Sequence, residues 1–244
     1  MWNFMLLCIQ AVLSQQQHGC PKLRLVFRAR YIMEEKMKEF SVAMSLFDFI
    51  PVLLFGAAAI ILQRDFYNRM SKGAFALFAA GTIDVFCAGF LKAVYKLLYS
   101  LNVCDFQPLN SLFFPLQSIG FILAGIGIVA LLTHSQSEKL YAAAPAVWSG
   151  TVLFVALMCI GVALIDGGLS VIAKRMKKGG VIVLFVISFF CCMCMGYLSS
   201  RSFDKALFNW IAEFVNLFGQ AALLGGTVIL HKSGLAEFNF KEEK

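Results

Sequence analysis

Hydrophobic residues in this chain come in long unbroken runs rather than at a short period. From residue 41 onward the runs cover 41–63, 73–98, 111–133, 145–172, 180–198 and 206–231, with polar turns between them. Runs of about 20 apolar residues are long enough to cross a hydrocarbon core as helices, and backbone in lipid must be hydrogen-bonded within its own segment. The pattern predicts an all-α, polytopic integral membrane bundle of about six transmembrane helices, with no soluble domain and both termini on one side.

The last run breaks the apolar rule in an ordered way. Read as one helix, it places Glu213, Asn216, Gln220, Thr227 and His231 on a single face, while Phe214, Leu217, Phe218, Leu224 and Ile229 occupy the others. A polar stripe at membrane depth is costly unless it meets water, a partner helix or a substrate. Glu213, Asn216 and Gln220 are therefore the leading candidates for a solute or ion site.

Other polar residues inside the runs join them. Asp84 sits in the middle of the second run, with Lys92 two turns later. Lys92 can turn inward or outward, and Lys96, nearer the end, is expected to snorkel toward the interface. Asp48 stands near the start of the first run and Gln117 near the start of the third. Asp166-Gly167-Gly168 interrupts the fourth run. Two glycines weaken a helix, so this segment either opens a broken helix that can hold an ion or simply ends the span. His231, next to Lys232, is expected at the interface. Tyr95, Tyr99, Tyr141, Tyr197, Trp148 and Trp210 lie near run ends, as in an aromatic belt.

Short similarities recur between runs. Phe49-Ile50-Pro51 with Gly56 resembles Phe113-Phe114-Pro115 with Gly120, and Leu54-Phe55-Gly56 with Ala58-Ala59 resembles Leu217-Phe218-Gly219 with Ala221-Ala222. Runs one and three would be parallel. Such matches are consistent with internal duplication, which is frequent in transporters, and also with the small alphabet of membrane helices. Gly120-x-x-x-Ala124 and Gly225-Gly226 offer small surfaces for close helix packing.

Composition agrees with this picture. Of 244 residues, 60% are apolar and 14% charged, against about a quarter charged in soluble domains. No connection exceeds about 15 residues, which leaves no room for a soluble catalytic or nucleotide-binding module. The net charge of +7 then reflects Lys and Arg flanking membrane spans rather than nucleic-acid binding. Comparing the connecting loops leans weakly toward both termini in the cytoplasm. The eight cysteines do not form a disulfide framework, because most lie inside apolar runs. Cys191 and Cys194 share a helix face without the neighbours that a metal site needs.

The first 36 residues differ from the rest. A short apolar stretch is followed by Lys22, Arg24, Arg28 and Arg30, the reverse of the order in a signal peptide. They read either as a basic arm on an anionic membrane surface or as an upstream extension of a chain that begins at Met37, where Glu34-Glu35-Lys36 could be encoded by a bacterial ribosome-binding site. Residues 37–244 form a single transmembrane helical domain in this reading.

The expected function is that of a small-solute or ion transporter, or a solute-binding membrane component, in a bacterial inner membrane. Its partners would be the lipid bilayer and a small polar or cationic solute or protons, with no cofactor and no metal, and with a partner subunit or homo-oligomer possible. Two alternatives are a membrane-embedded enzyme acting on a lipid or isoprenoid, with Glu213 or Asp84 as general acid/base, and a non-catalytic sensor or partner subunit.

Overall fold

In the computed structural model the described residues are 41–133, 151–199, 206–238 and 240. They form α1 (Val42–Phe47), α2 (Phe49–Phe66), α3 (Lys72–Ser100), α4 (Gln107–Ser111), α5 (Phe113–Thr133), α6 (Thr151–Arg175), a 3-10 turn (Gly179–Val181), α7 (Ile182–Ser199) and α8 (Ala206–Lys232). Among the described residues five helices are long and apolar enough to cross a membrane, α1 and α2 counting as one span, and Gly179–Met195 is a shorter apolar helix. The molecule is a multi-pass α-helical membrane protein. The basic arm or upstream extension expected over 1–36 lies outside the described residues, as do Tyr141 and Trp148.

Local chemistry sets the helix boundaries. Ser41 and Ser71 cap α1 and α3, accepting from the backbone N–H of Met44 at 3.2 Å and of Ala74 at 3.3 Å, which satisfies donors that a helix start leaves open. Asn102 and Lys177 end α3 and α6 in the left-handed conformation, with φ of 57° and 58°. The N–H of Val103 then reaches back to the Leu98 carbonyl and that of Lys178 to Ala173, the wrapped closure that satisfies the last carbonyls. Asp166 does not interrupt its helix: α6 runs unbroken from Thr151 to Arg175 with Asp166 buried inside it. Gly168 lets α6 pack closely on α5, since a Cβ there would collide with Ile128 Cγ2.

The six long helices close into a ring in chain order, α2–α3–α5–α6–α7–α8, with α8 returning to α2. Contact pairs give their directions. Gly81 meets Gly120 and Ala124 while Phe78 meets Gly127, so α3 and α5 are antiparallel. Gly161 meets Phe121 and Ile122 while Gly168 meets Ile128, so α5 and α6 are parallel. α8 and α2 are also parallel, with Trp210 beside Phe47 and His231 beside Asp65. The ring is thus two up-down-up triplets, α2–α3–α5 and α6–α7–α8, joined through two parallel seams. This corrects the expectation of strict alternation: Ser41 and Lys232 fall at opposite ends of the bundle. α2 and α5 are parallel, as expected of two runs separated by one span.

The triplets also resemble one another. Gly127 on α5 backs onto Phe78 on α3, and Gly226 on α8 backs onto Phe185 on α7, each with a would-be Cβ within 2.8 Å of the ring-bearing side chain. Counting from these anchors, Gly120 corresponds to Gly219, Gln117 to Asn216 and Leu77 to Leu184. The sequence pairings of α2 with α5 and with α8 are different from these. The relation the packing displays is a parallel repeat about an axis along the bundle.

Candidate functional site

The ring encloses a chamber of about 140 Å³ that touches all six long helices. It lies toward the Ser41 end, because its walls come from the first half of α2 and α5 and the second half of α3 and α7. Toward the other end Phe66, Phe78, Ile128, Leu169, Phe185 and Leu230 are completely buried between the helices, with an open polar groove beside Asp65 and His231 at the surface. The bundle is therefore hollow in one half and closed by a hydrophobic plug in the other.

Polar groups are arranged in three layers down the chamber. At the mouth, Lys96 Nζ stands 3.0 Å from Asp48 Oδ2 and 2.6 Å from Glu213 Oε1. Asp48 comes from the α1–α2 junction, Lys96 from α3 and Glu213 from α8, so this bridge ties the two triplets together. Lys96 does not snorkel: its side chain is only 11% exposed, because two buried carboxylates replace the water it would otherwise seek. Lys92, one turn earlier, lies with its ammonium 3.7 Å from the centroid of the Phe113 ring, a cation–π contact. The middle layer holds Gln117 and Asn216. Farther in, Asp166, Ser188 and Gln220 line the chamber, with the Ser188 hydroxyl beside the Asp166 carboxyl.

Four chamber-lining side chains carry a buried oxygen without a hydrogen-bond partner: Gln117 Oε1, Asp166 Oδ2, Glu213 Oε2 and Gln220 Oε1. Buried polar atoms are normally satisfied, since leaving one unmade costs about 1–3 kcal/mol. Their convergence on one cavity identifies where a bound species would recover that energy. Three carboxylates and two ammonium groups line the chamber, so with all five ionised its walls hold one uncompensated negative charge.

The six residues expected from sequence divide clearly. Asp48, Gln117, Glu213, Asn216 and Gln220 come together around the chamber. Asp84 does not: it is half-buried on the face of α3 that carries Cys87 and lies off the chamber walls. The polar stripe of α8 also continues past the chamber floor. Thr227 is fully buried without a hydrogen-bond partner in the plug region. His231 Nδ1 meets Asp65 at 2.8 Å at the Lys232 end. Tyr95 is buried and donates to Asp105 at 3.1 Å rather than facing an interface.

Sequence reasoning left out Lys92, Lys96 and Ser188 as chamber residues. The usable signal was spacing: Val85, Gly89, Lys92 and Lys96 follow a helical stripe, and all four line the cavity. Among the described residues no cluster of three or more His, Cys, Asp or Glu is placed to hold a metal. The chain matches no protein-family model, no curated protein and no solved structure.

Proposed function

We propose that the protein is a small-solute or ion carrier, or the solute-binding membrane component of one, and that the central chamber is its substrate site. The observation that carries this reading is the set of four unpartnered buried oxygens facing one internal cavity. Helix-to-helix glue would have consumed those oxygens in pairs. Two parallel-repeat triplets around a central site is also an arrangement suited to rocking of one half against the other. Both ends of the α2–α8 seam carry polar contacts, the Asp48–Lys96–Glu213 bridge at one and the Asp65–His231 hydrogen bond at the other. Such contacts can exchange as one end opens and the other closes.

The arrangement of basic residues supports an orientation. Among the described residues Arg64, Arg69, Lys72, Lys174, Arg175, Lys177, Lys178 and Lys232 all belong to the Lys232 end, whereas Lys92 and Lys96, at the Ser41 end, point into the bundle. By the preference of Lys and Arg for the cytoplasmic face, the plugged end faces the cytoplasm and the chamber opens from the opposite side.

The test uses Asn216→Cys as the sole cysteine, in proteoliposomes, challenged with a membrane-impermeant thiol reagent from either face. A carrier exposes this position to both faces at measurable rates. Labelling from neither face, in a protein that remains folded, rejects the proposal. Labelling from one face alone reduces it to a binding component.

A further inference from the structure

Asp166 was legible in the sequence only as a break or an end of a helix. In the structure it is 4% exposed, in mid-helix, with Oδ2 lacking a partner and directed into the floor of the chamber. We infer that Asp166, Ser188 and Gln220 form a subsite for the ammonium head of a small primary amine. This inference rests on the carrier reading above and narrows its substrate class.

Donor counting supports it. Ser188 stands beside the Asp166 carboxyl, and Asp166 Oδ2 and Gln220 Oε1 are acceptors with nothing to accept. A primary ammonium brings three N–H donors and a positive charge, and each hydrogen bond to an ionised group is among the strong ones. Among the described residues no lysine or arginine is hydrogen-bonded to Asp166 or Gln220. The two ammonium groups of the walls are engaged elsewhere: Lys92 lies over the Phe113 ring, and Lys96 is held by Glu213, seven residues before Gln220 on the same helix and thus about 10 Å away along its axis.

The walls decide against a metal ion. Calcium needs six to eight oxygens and magnesium an octahedral shell, while this layer offers Asp166, Ser188 and Gln220 within a lining of Val162, Ile165 and Leu223. That hydrocarbon suits a short alkyl chain. Size sets the upper limit: about 140 Å³ is close to a cavity that holds one benzene-sized molecule, so the occupant has about six heavy atoms or fewer.

The experiment measures binding of n-propylammonium to the full chain in nanodiscs by calorimetry, and its protection of Asn216→Cys from a thiol reagent. 1-Propanol, tetramethylammonium and sodium serve as comparisons, lacking respectively the charge, the N–H donors and the alkyl chain. n-Propylammonium is expected to bind and protect, with the others at least roughly tenfold weaker. Asp166→Asn should weaken it by roughly 10–100-fold, the loss of a charged hydrogen-bond partner. Gln220→Leu, which leaves the carboxylate in place, should weaken it less and provides a second reading if Asp166→Asn melts early. Equal binding of tetramethylammonium, sodium or 1-propanol overturns the proposal. So does an Asn216→Cys that stays reactive but is never protected by n-propylammonium, an outcome that leaves the chamber intact and removes the amine. An Asn216→Cys that no reagent reaches defeats the carrier reading itself, and the amine subsite with it.

Discussion

Replacing Lys96 by methionine tests whether the mouth of the chamber is a buried charge cluster. The ammonium lies between Asp48 at 3.0 Å and Glu213 at 2.6 Å, and the three side chains are 11%, 9% and 6% exposed. Methionine keeps most of the stem volume but strands two adjacent carboxylates. Breaking a buried pair by removing one partner costs about 3–5 kcal/mol, because an uncompensated charge remains. For a chain of this size each kcal/mol lowers the melting temperature by roughly 2–4 °C, so Lys96→Met should melt roughly 6–20 °C early. The triple change Asp48→Asn, Lys96→Met, Glu213→Gln removes all three charges together and should recover most of that loss, since replacing a whole buried cluster is often nearly neutral. Both numbers come from thermal unfolding in detergent followed by Trp fluorescence, Trp210 being packed against Phe47 and Phe214 beside the bridge. A shift under about 2 °C for Lys96→Met would mean a hydrated ammonium. A triple variant as unstable as the single one would mean that charge is not what the methionine removes. Either result refutes the reasoning.

Other consequences can be checked independently. Gly81→Ala would place a Cβ 2.4 Å from the Gly120 carbonyl oxygen and 2.5 Å from Ala124 N. Backbone atoms cannot step aside, so the variant should lose about 2 kcal/mol or more by thermal melting. Gly167→Ala meets nothing within 4 Å and should be neutral or gain about 0.5–1 kcal/mol from helix propensity. Asp65→Asn weakens the contact with His231 and should speed labelling of Asn216→Cys from the Lys232 end alone; equal acceleration from both faces would show general loosening. Single cysteines at Asn68 and Lys178 should react from one face of a vesicle and a cysteine at Asn102 from the other, because α5 and α6 are parallel. Strict alternation would instead place Asn68 opposite Lys178.

What the sequence made legible was whatever depends on one helix at a time. Apolar run length identifies membrane helices because lipid imposes the same requirement on each separately. The stripe Glu213, Asn216, Gln220 was visible because a helix's own period brings these residues onto one face. Features that depend on two helices were hidden. Lys96, near the end of its run, reads in sequence terms as a snorkelling side chain; only Asp48 and Glu213, far away along the chain, turn it inward. Asp84 and Asp166 look alike in composition, yet one faces off the chamber and the other into its floor, because the rotation of each helix is set by glycine contacts such as Gly81 on Gly120 and Gly168 on Ile128.

Topology was the largest thing the sequence withheld, and it changes the functional argument. Counting runs makes each loop alternate sides, which divides the basic residues almost evenly and leaves orientation weak. The single fact that Gly161 meets Phe121 while Gly168 meets Ile128 makes α5 and α6 parallel. The Arg64–Lys72 turn and the Lys174–Lys178 turn then share one end of the bundle, which gathers most of the basic residues among those described. The same fact turns six consecutive spans into two like triplets, with the polar layers of Gln117 and Asn216 at matching positions. A site on the axis between two equivalent halves is touched by every helix, so a small relative rotation of the halves alters all of its walls together. That is why the unpartnered oxygens are better placed here than on any single helix face: the energy of filling them can be coupled to the relative position of the two triplets.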